Sequence, residues 1–131
     1  MVKQPYSDAI GRSLRPVEWV GTSYEDFVAF PAPVQDEMGH ALYLAQTGRL
    51  HRSAKPLKGF GGAGVQEIVE DDYGGTYRAV YTIKFESAVY VLHAFQKKSR
   101  KGIATPQKDI EQVRRRLKIA AYDDAKRRGT R

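Results

Sequence analysis

The sequence contains no cysteine and no long apolar segment. Without cysteine there is no disulfide, no thiolate metal site and no thiol nucleophile, and this composition indicates a cytoplasmic protein. A membrane-spanning helix needs roughly 18 apolar residues, which the chain lacks, and residues 1–16 have no apolar signal-peptide core. We therefore expect a cytoplasmic protein that does not associate with membranes.

Groups that carry metal-dependent or nucleophilic chemistry are also scarce. The histidines His40, His51 and His93 are isolated, and none has a second histidine three to five residues away. No serine lies in a glycine-flanked turn between a strand and a helix, as in hydrolases with a serine triad. The glycine-rich segment 59–64 lacks the Gly-Lys-Ser/Thr ending of a phosphate-binding loop. We predict no metal and no cofactor, and we interpret the glycine-rich segment as a mobile loop.

Positive charge is in excess, and it is concentrated towards the C-terminal end. The formal net charge is +7 over 131 residues. Residues 91–131 carry 13 Lys and Arg against 4 Asp and Glu, whereas residues 1–90 carry 9 against 11. Clustered cations favour a polyanionic partner, nucleic acid before membrane, although a need for solubility explains the composition equally well.

Length and hydrophobic patterning predict one domain of the α+β class. Periodicity and turn residues predict, in order, a strand at 17–20, helices at 24–30 and 33–47, and strands at 65–69, 77–83 and 89–95. The two helices should form a hairpin that covers a small antiparallel sheet of about four strands, with a further helix at the C-terminal end. We expect a flexible leader at 1–15, the domain at 16–122 and a frayed basic tail at 123–131.

The ends of the predicted helices have recognisable signals. Thr22 or Ser23 caps the first helix, where Asp26 completes a capping arrangement. Thr105-Pro106 opens the last helix. The predicted apolar face of that helix is Ile110, Val113, Leu117 and Ala121, and its other face carries Arg114, Arg115, Arg116 and Lys118.

Basic residues on or beside the predicted strands form the most informative pattern. Arg78 alternates with Val80 and Thr82 on one face of the middle strand, so its guanidinium emerges from the body of the sheet. A guanidinium there needs an anionic partner. An ion pair with Glu67 or Glu70 of the neighbouring strand meets that need as well as a bound phosphate does.

Further cations flank the strands. Lys55 and Lys58 precede the three-strand meander, and Gln96-Lys97-Lys98-Ser99-Arg100-Lys101 follows its last strand. A solvated charged turn explains the second segment as well as a functional role does.

These segments together resemble a known family. The motifs are Lys55-Pro56-Leu57-Lys58-Gly59, Val65-Gln66-Glu67-Ile68, Thr76-Tyr77-Arg78-Ala79-Val80-Tyr81, Leu92-His93-Ala94-Phe95-Gln96-Lys97-Lys98-Ser99, and Thr105-Pro106 before a helix. Their order and spacing, over residues 16–120, resemble the phage-related, HigB-like branch of the RelE/ParE/HigB superfamily of type II toxin-antitoxin toxins.

The resemblance implies a metal-independent endoribonuclease that cuts messenger RNA, usually in the ribosomal A site, and so inhibits translation. The ribose 2′-hydroxyl attacks the adjacent phosphorus, so the enzyme must help to deprotonate that hydroxyl, neutralise the phosphorane and protonate the leaving 5′-oxygen. The resemblance also implies a helix-turn-helix antitoxin as partner, through which alone the toxin contacts DNA.

The resemblance carries over to particular positions. Arg78 matches the family's sheet arginine and would stabilise the phosphorane, and Lys58 matches its basic position before the second strand, as base or second electrostatic clamp. Lys97 and Lys98 match the basic turn after the last strand, where the leaving oxygen is protonated or the RNA backbone is held.

His93 and Phe95, which are close to these basic residues in the sequence, can each be explained in two ways. His93 is suited to proton transfer by its ordinary pKa, but a histidine among apolar strand residues is more often a core residue or a support for the site. Phe95 either stacks on a base or packs in the core. Tyr122 lies too far along the last helix to serve as the C-terminal tyrosine of some relatives. The remaining predicted RNA-binding residues are Lys55, Arg100 and Lys101.

Two other functions stay open. ParE-type relatives act on DNA gyrase and lack the basic catalytic set, so the presence of Lys58, Arg78, Lys97 and Lys98 argues against that target. The other is a catalytically silent nucleic-acid-binding or phage accessory protein, whose signature is strongly salt-dependent binding of RNA that stays intact.

Overall fold

A computed structural model describes residues 14–97 and 104–129. The elements in chain order are β1 Val17–Trp19, α1 Ser23–Val28, α2 Ala32–Gln46, β2 Lys55–Pro56, β3 Val65–Asp72, β4 Gly75–Thr82, β5 Val89–Lys97 and α3 Gln107–Gly129. The predicted α+β class is confirmed, as is the order of strand, helix hairpin, three-strand meander and helix. Within the described ranges, no helix combines the length and the apolar character needed to cross a bilayer.

The five strands form one sheet in the order β1-β5-β4-β3-β2. The pairs from β2 to β5 are antiparallel, whereas β1 runs parallel to β5, with Val17 opposite Val89 and Trp19 opposite Val91. The sheet is therefore mixed and contains a fifth strand beyond the predicted four. The added strand, β2, is two exposed residues long and includes Pro56, so it has no alternating pattern that a sequence could reveal.

Two turns follow directly from the local sequence. β3 and β4 are joined by Tyr73 and Gly74, which both have positive φ, at 41° and 80°, and Asp72 pairs with Gly75 across them. This is the geometry of a two-residue turn that matches the twist of a hairpin. Gly48, with φ of 85°, lies just past α2 and ends it as predicted, because an L-residue is strained in that conformation.

The sheet separates two hydrophobic cores. Ala79 and Tyr81 of β4 pack in the core that contains α1 and α2, whereas Val80, between them, packs in the core that contains Val113 of α3. Successive residues of a strand point to opposite faces, so α3 and the helix hairpin lie on opposite faces of the sheet. Basic residues of β4 and β5 that share the face of Val80 are therefore beneath α3.

The buried face of α3 differs from the predicted one. Its buried residues are Asp109, Val113, Arg116, Ala120 and Asp124. Ile110 and Leu117 are only partly buried against that core, and Ala121 is exposed. Arg116 was expected on the face other than the apolar one, but it is buried, because Thr22, Leu92 and His93 offer it hydrogen-bond acceptors beneath the helix.

The start of the described chain is packed rather than loose. Leu14 is buried, and the Arg15 guanidinium donates to the backbone oxygens of Ile83, Phe85 and Ala45 at 3.1, 2.8 and 2.8 Å. Burial lowers the pKa of Arg15, yet the three carbonyls keep its charge hydrogen-bonded. The predicted leader otherwise falls outside the described residues.

The end of α3 is also packed, where fraying was predicted from residue 123. Asp123 accepts a 2.7 Å hydrogen bond from the Tyr90 hydroxyl, and Asp124 accepts one from Ser87. Arg127 forms a 2.6 Å ion pair with Glu18 of β1. These contacts explain why a polar segment stays helical as far as Gly129.

Candidate functional site

Arg78 lies in the middle of the sheet, on the face covered by α3, and is held by two polar neighbours. Its Nη1 atom donates to Glu67 Oε2 at 3.2 Å and to Thr105 Oγ1 at 2.9 Å. The Thr105 hydroxyl donates to the same Glu67 oxygen at 2.5 Å. The ion pair with Glu67, one of the two partners considered from the sequence, is thus present, and Arg78 is only 3% exposed.

Thr105 has a different role from the one that the sequence predicted for it. The sequence predicted that Thr105 caps α3, but its hydroxyl is used by Glu67 and Arg78. A similar change occurs at α1, where the Thr22 hydroxyl donates to the Asp26 carboxylate at 2.9 Å and makes no side-chain cap of the helix. Thr105 therefore ties β3 and β4 to the segment that leads into α3.

His93 is surrounded by hydrogen-bond partners from α3. Its Nε2 atom is 2.8 Å from Asp109 Oδ1, and its Nδ1 atom is 3.4 Å from Arg116 Nη1. Because a guanidinium can only donate, Nδ1 accepts and Nε2 carries the proton that is donated to Asp109. Both ring nitrogens are occupied, which favours the supporting role of His93 over proton transfer.

Arg116 extends this network to α1. It donates through Nη1 to the Leu92 carbonyl at 3.0 Å and through Nη2 to Thr22 Oγ1 at 3.1 Å. Burial lowers the pKa of Arg116, while the nearby Asp26 carboxylate opposes that shift. Asp109 and Arg116 were missed as site residues, although their spacing with Val113 and Ala120 is that of one helical face.

Phe95 and Lys97 follow His93 along the same face of β5. The ring of Phe95 stacks on that of His93, with centroids 4.8 Å apart and planes at 23°, and Phe95 lies opposite Arg78 in the β4–β5 register. The Lys97 ammonium donates to the Ala104 carbonyl at 3.0 Å. The structure thus brings Arg78, His93, Phe95 and Lys97 together.

Lys58 belongs to a different part of the surface. It is exposed in the loop after β2, beside Gly59, whose carbonyl is 3.4 Å from Arg114 Nη1. Arg114 also lies over the Phe60 ring at 4.8 Å, so Lys58 is near the middle of α3 rather than its start. Lys55 is exposed on β2, opposite Glu67 in the register.

The remaining predicted site residues cannot be placed. Lys98, Arg100 and Lys101 lie outside the described residues. They belong to the segment that joins β5 to α3, and both of its ends, Lys97 and Ala104, are described and linked by the hydrogen bond above.

An open groove of about 550 Å³ runs beside the Phe95 end of this arrangement. It begins where β1 stops pairing, because β1 covers only Val89–Val91 of β5. The groove is lined by Asp26, Ala29, Phe30, Pro31, Tyr77, His93, Ala94, Phe95 and Gln96. The lining of the groove thus combines aromatic rings with a few polar groups.

Comparison with known proteins gives a family. A family model described as phage-derived Gp49-like protein (DUF891) matches residues 25–118, which is more than half of the chain. No curated protein and no solved structure matches significantly. The matched segment includes most of the helix hairpin, the three-strand meander and α3 as far as Lys118. The match agrees with the phage-related character of the resemblance found in the sequence. The chain belongs to the Gp49-like family of phage-derived proteins.

Proposed function

We propose that this protein is the toxin of a type II toxin-antitoxin pair, an endoribonuclease that cuts messenger RNA on the ribosome without a metal. The observation that carries the proposal is the position of Arg78 opposite Phe95, with Lys97 two residues further along the same strand face. An aromatic ring between two cations suits a single-stranded RNA, whose base stacks while its phosphates are neutralised. Membership of a phage-derived family agrees with such a role.

In the proposed reaction, the ribose 2′-oxygen forms a bond to the adjacent phosphorus and the bond to the 5′-oxygen breaks. The products are a 2′,3′-cyclic phosphate and a 5′-hydroxyl, and the proton lost by the 2′-hydroxyl is balanced by one gained by the leaving oxygen. Arg78 neutralises the phosphorane and Lys97 stabilises or protonates the leaving oxygen. Glu67 and Thr105 hold the Arg78 guanidinium in place before RNA binds.

His93 and Lys58, which were also predicted to be catalytic, have supporting roles in this proposal. His93 is a positioning residue, because Asp109 and Arg116 occupy its nitrogens and its ring supports Phe95. Lys58, near Arg114, is a phosphate clamp for RNA that continues along α3. Lys55, Lys98, Arg100 and Lys101 extend the basic surface, and the proposed antitoxin, a helix-turn-helix protein, provides the only link to DNA.

A second candidate function is supported by the burial of Arg78. A guanidinium that is 3% exposed and paired with a carboxylate fits a structural arginine as well as a catalytic one. In that case the exposed Lys58, Arg114, Arg115 and Lys118 bind nucleic acid without cutting it. Gyrase inhibition has no specific support from the described residues.

The test is inducible expression in bacteria, followed by primer extension on abundant messages to find cuts within translated codons. The wild type is compared with Lys97→Ala and with Arg78→Met combined with Glu67→Gln, which removes both members of the ion pair. The matched control is Arg52→Ala, a change at an exposed arginine near the end of α2. Circular dichroism of each purified variant checks that it is folded.

Cuts that appear with the wild type and Arg52→Ala but disappear in the folded site variants support the proposal. Cuts that persist in both site variants remove Arg78 and Lys97 from the reaction. Growth arrest without cuts points to another target such as gyrase, and binding of intact RNA without growth arrest supports the second candidate.

A further inference from the structure

Three potential metal ligands meet on the helix-hairpin side of the molecule. Glu37 and His40 lie one turn apart on α2, and His51 is brought back to them by the left-handed turn at Gly48. The Nε2 atom of His51 is 2.5 Å from Glu37 Oε2, and the rings of His40 and His51 are 5.4 Å apart, edge to face. One ligand atom from each of the three residues lies within 4.8 Å of the other two.

We propose that Glu37, His40 and His51 bind a divalent transition metal, and zinc is the expected ion. Two imidazoles and one carboxylate are a ligand set that zinc uses, with a fourth position left to water or another ligand. A Glu and a His three residues apart on a helix both reach one ion, as in other helical metal sites. Nitrogen ligands favour zinc or copper over magnesium and calcium, which prefer oxygen.

The burial of the three residues fits binding of an ion from solvent. His51 is 5% exposed and therefore fixed, whereas Glu37 is partly exposed and His40 is exposed. Tetrahedral coordination with bonds near 2.0–2.1 Å requires ligand atoms roughly 3.3 Å apart. The exposed His40 ring is free to rotate towards the ion by the small amount that this geometry needs.

Metal binding must change the hydrogen bonds of His51. The Ser53 backbone N–H donates to His51 Nδ1 at 3.0 Å, so the proton of the neutral ring is on Nε2 and is shared with Glu37. When the ion binds to Nε2, the ring proton moves to Nδ1. The Ser53 N–H then donates to a water molecule instead of to Nδ1. Ser53 is exposed, so its amide is satisfied by solvent after the exchange.

The ion would cross-link α2 to the segment that leads into β2. Lys55 of β2 and then Lys58 follow that segment in the chain, while Arg78 and His93 lie on the opposite face of the sheet. The inference does not depend on RNA cleavage, because none of the three ligands belongs to the proposed site. Restraint of residues 49–54 is its structural consequence.

The test uses the full chain without a histidine tag. Zinc chloride alone is titrated into the protein, and the heat of binding is measured by calorimetry. In a separate experiment cobalt chloride is added, and the visible absorption of protein-bound cobalt is recorded. We expect one ion per chain, a higher midpoint of thermal unfolding with zinc, and binding at least about tenfold weaker in His40→Ala. Glu37→Gln should weaken binding as well, whereas Asp36→Asn, an exposed carboxylate beside Glu37, should not.

Ser53 provides an independent check. Its amide resonance should shift on zinc addition in the wild type and in Asp36→Asn, and the same shift in His40→Ala should need at least about tenfold more zinc. No binding by the wild type, or equal binding by the wild type and His40→Ala, overturns the proposal. Zinc binding by a wild-type protein that makes no cuts in RNA leaves the metal site standing, so the two proposals fail separately.

Discussion

His93 on β5 and Asp109 on α3, two buried residues, are joined by a 2.8 Å hydrogen bond through the histidine Nε2 atom. The bond connects the sheet to the first turn of α3, and Arg116 occupies the other ring nitrogen. A histidine held in this way supports its neighbours and has no free nitrogen with which to accept a proton from a substrate.

The first prediction concerns this histidine. His93→Gln keeps a donor towards Asp109 but loses the ring that stacks on Phe95, so we expect the free energy of unfolding to fall by about 1–2 kcal/mol. If the protein cleaves RNA, the rate should fall while the shape of its pH profile stays the same. Urea unfolding and cleavage across a pH series provide the two measurements. Disappearance of one limb of the pH profile would instead assign proton transfer to His93.

The second prediction concerns the Arg78–Glu67 pair. Arg78→Ala leaves the partly buried Glu67 carboxylate without its cation, and we expect a loss of at most about 3–5 kcal/mol in the free energy of unfolding. Arg78→Met with Glu67→Gln removes both charges and should lose less than half as much. Urea unfolding at neutral pH compares the two variants with Arg52→Ala, which should match the wild type. Equal losses in the single and double variants would show that the pair contributes nothing specific.

The third prediction concerns Arg15. Its guanidinium donates to carbonyls in the last turn of α2, just after β4 and in the loop before β5. Arg15→Met keeps much of the apolar packing but leaves three carbonyls short of a donor, which should cost about 2–4 kcal/mol. Thermal and urea unfolding should show this loss, while Arg49→Met, at an exposed position, should change little. A stable Arg15→Met variant would mean that water replaces the guanidinium without cost.

The fourth prediction concerns acid stability at the end of α3. The Tyr90 hydroxyl is the main cause that lowers the pKa of Asp123 below its ordinary 3.8, and Arg127 adds to the effect. Stabilisation from a lowered carboxylate pKa is present above the ordinary pKa and is lost as pH falls through the lowered value. Tyr90→Phe should therefore reduce stability near neutral pH and make the decline on acidification below the ordinary pKa of 3.8 shallower.

The measurement for Tyr90 is thermal unfolding at a series of pH values. Tyr122→Phe is the matched control, because Tyr122 is an exposed tyrosine next to Asp123 on α3 and its hydroxyl should not affect Asp123. Parallel curves for the wild type and Tyr90→Phe would contradict the assignment of the pKa shift to this hydrogen bond.

Much of the fold was predictable because it is encoded in short segments. The spacing of Val34, Met38 and Leu42 gives α2 its buried stripe, and all three are buried. The turn residues around Gly74 give the hairpin of β3 and β4. The direction of β1 was not predictable, because the alternation of three residues is the same for a parallel and an antiparallel partner.

The site was less predictable, because its partners come from different elements. The pattern of Arg78, Val80 and Thr82 correctly placed Arg78 on a sheet face, and Glu67 was one of two proposed partners. The involvement of Thr105 depends on where the start of α3 lies over the sheet. Arg116 was grouped with Arg114, Arg115 and Lys118 because the pattern separates apolar from charged residues, whereas here three acceptors beneath the helix compensate the burial of Arg116.

The contacts of α3 also determine at which stage of folding the site becomes complete. Arg116 reaches Thr22 across 94 residues of sequence, and Arg78 and His93 acquire Thr105 and Asp109 only from the segment that follows the sheet. Contacts that join distant parts of a chain form slowly and only after both parts have been synthesised. While the ribosome is still making this protein, its β4 and β5 strands can pair and Arg78 can meet Glu67 of β3. Arg78 still lacks Thr105, however, and His93 still lacks Asp109 and Arg116. The arrangement of Arg78, His93 and Phe95 is therefore assembled last, once α3 has left the ribosome that produced it.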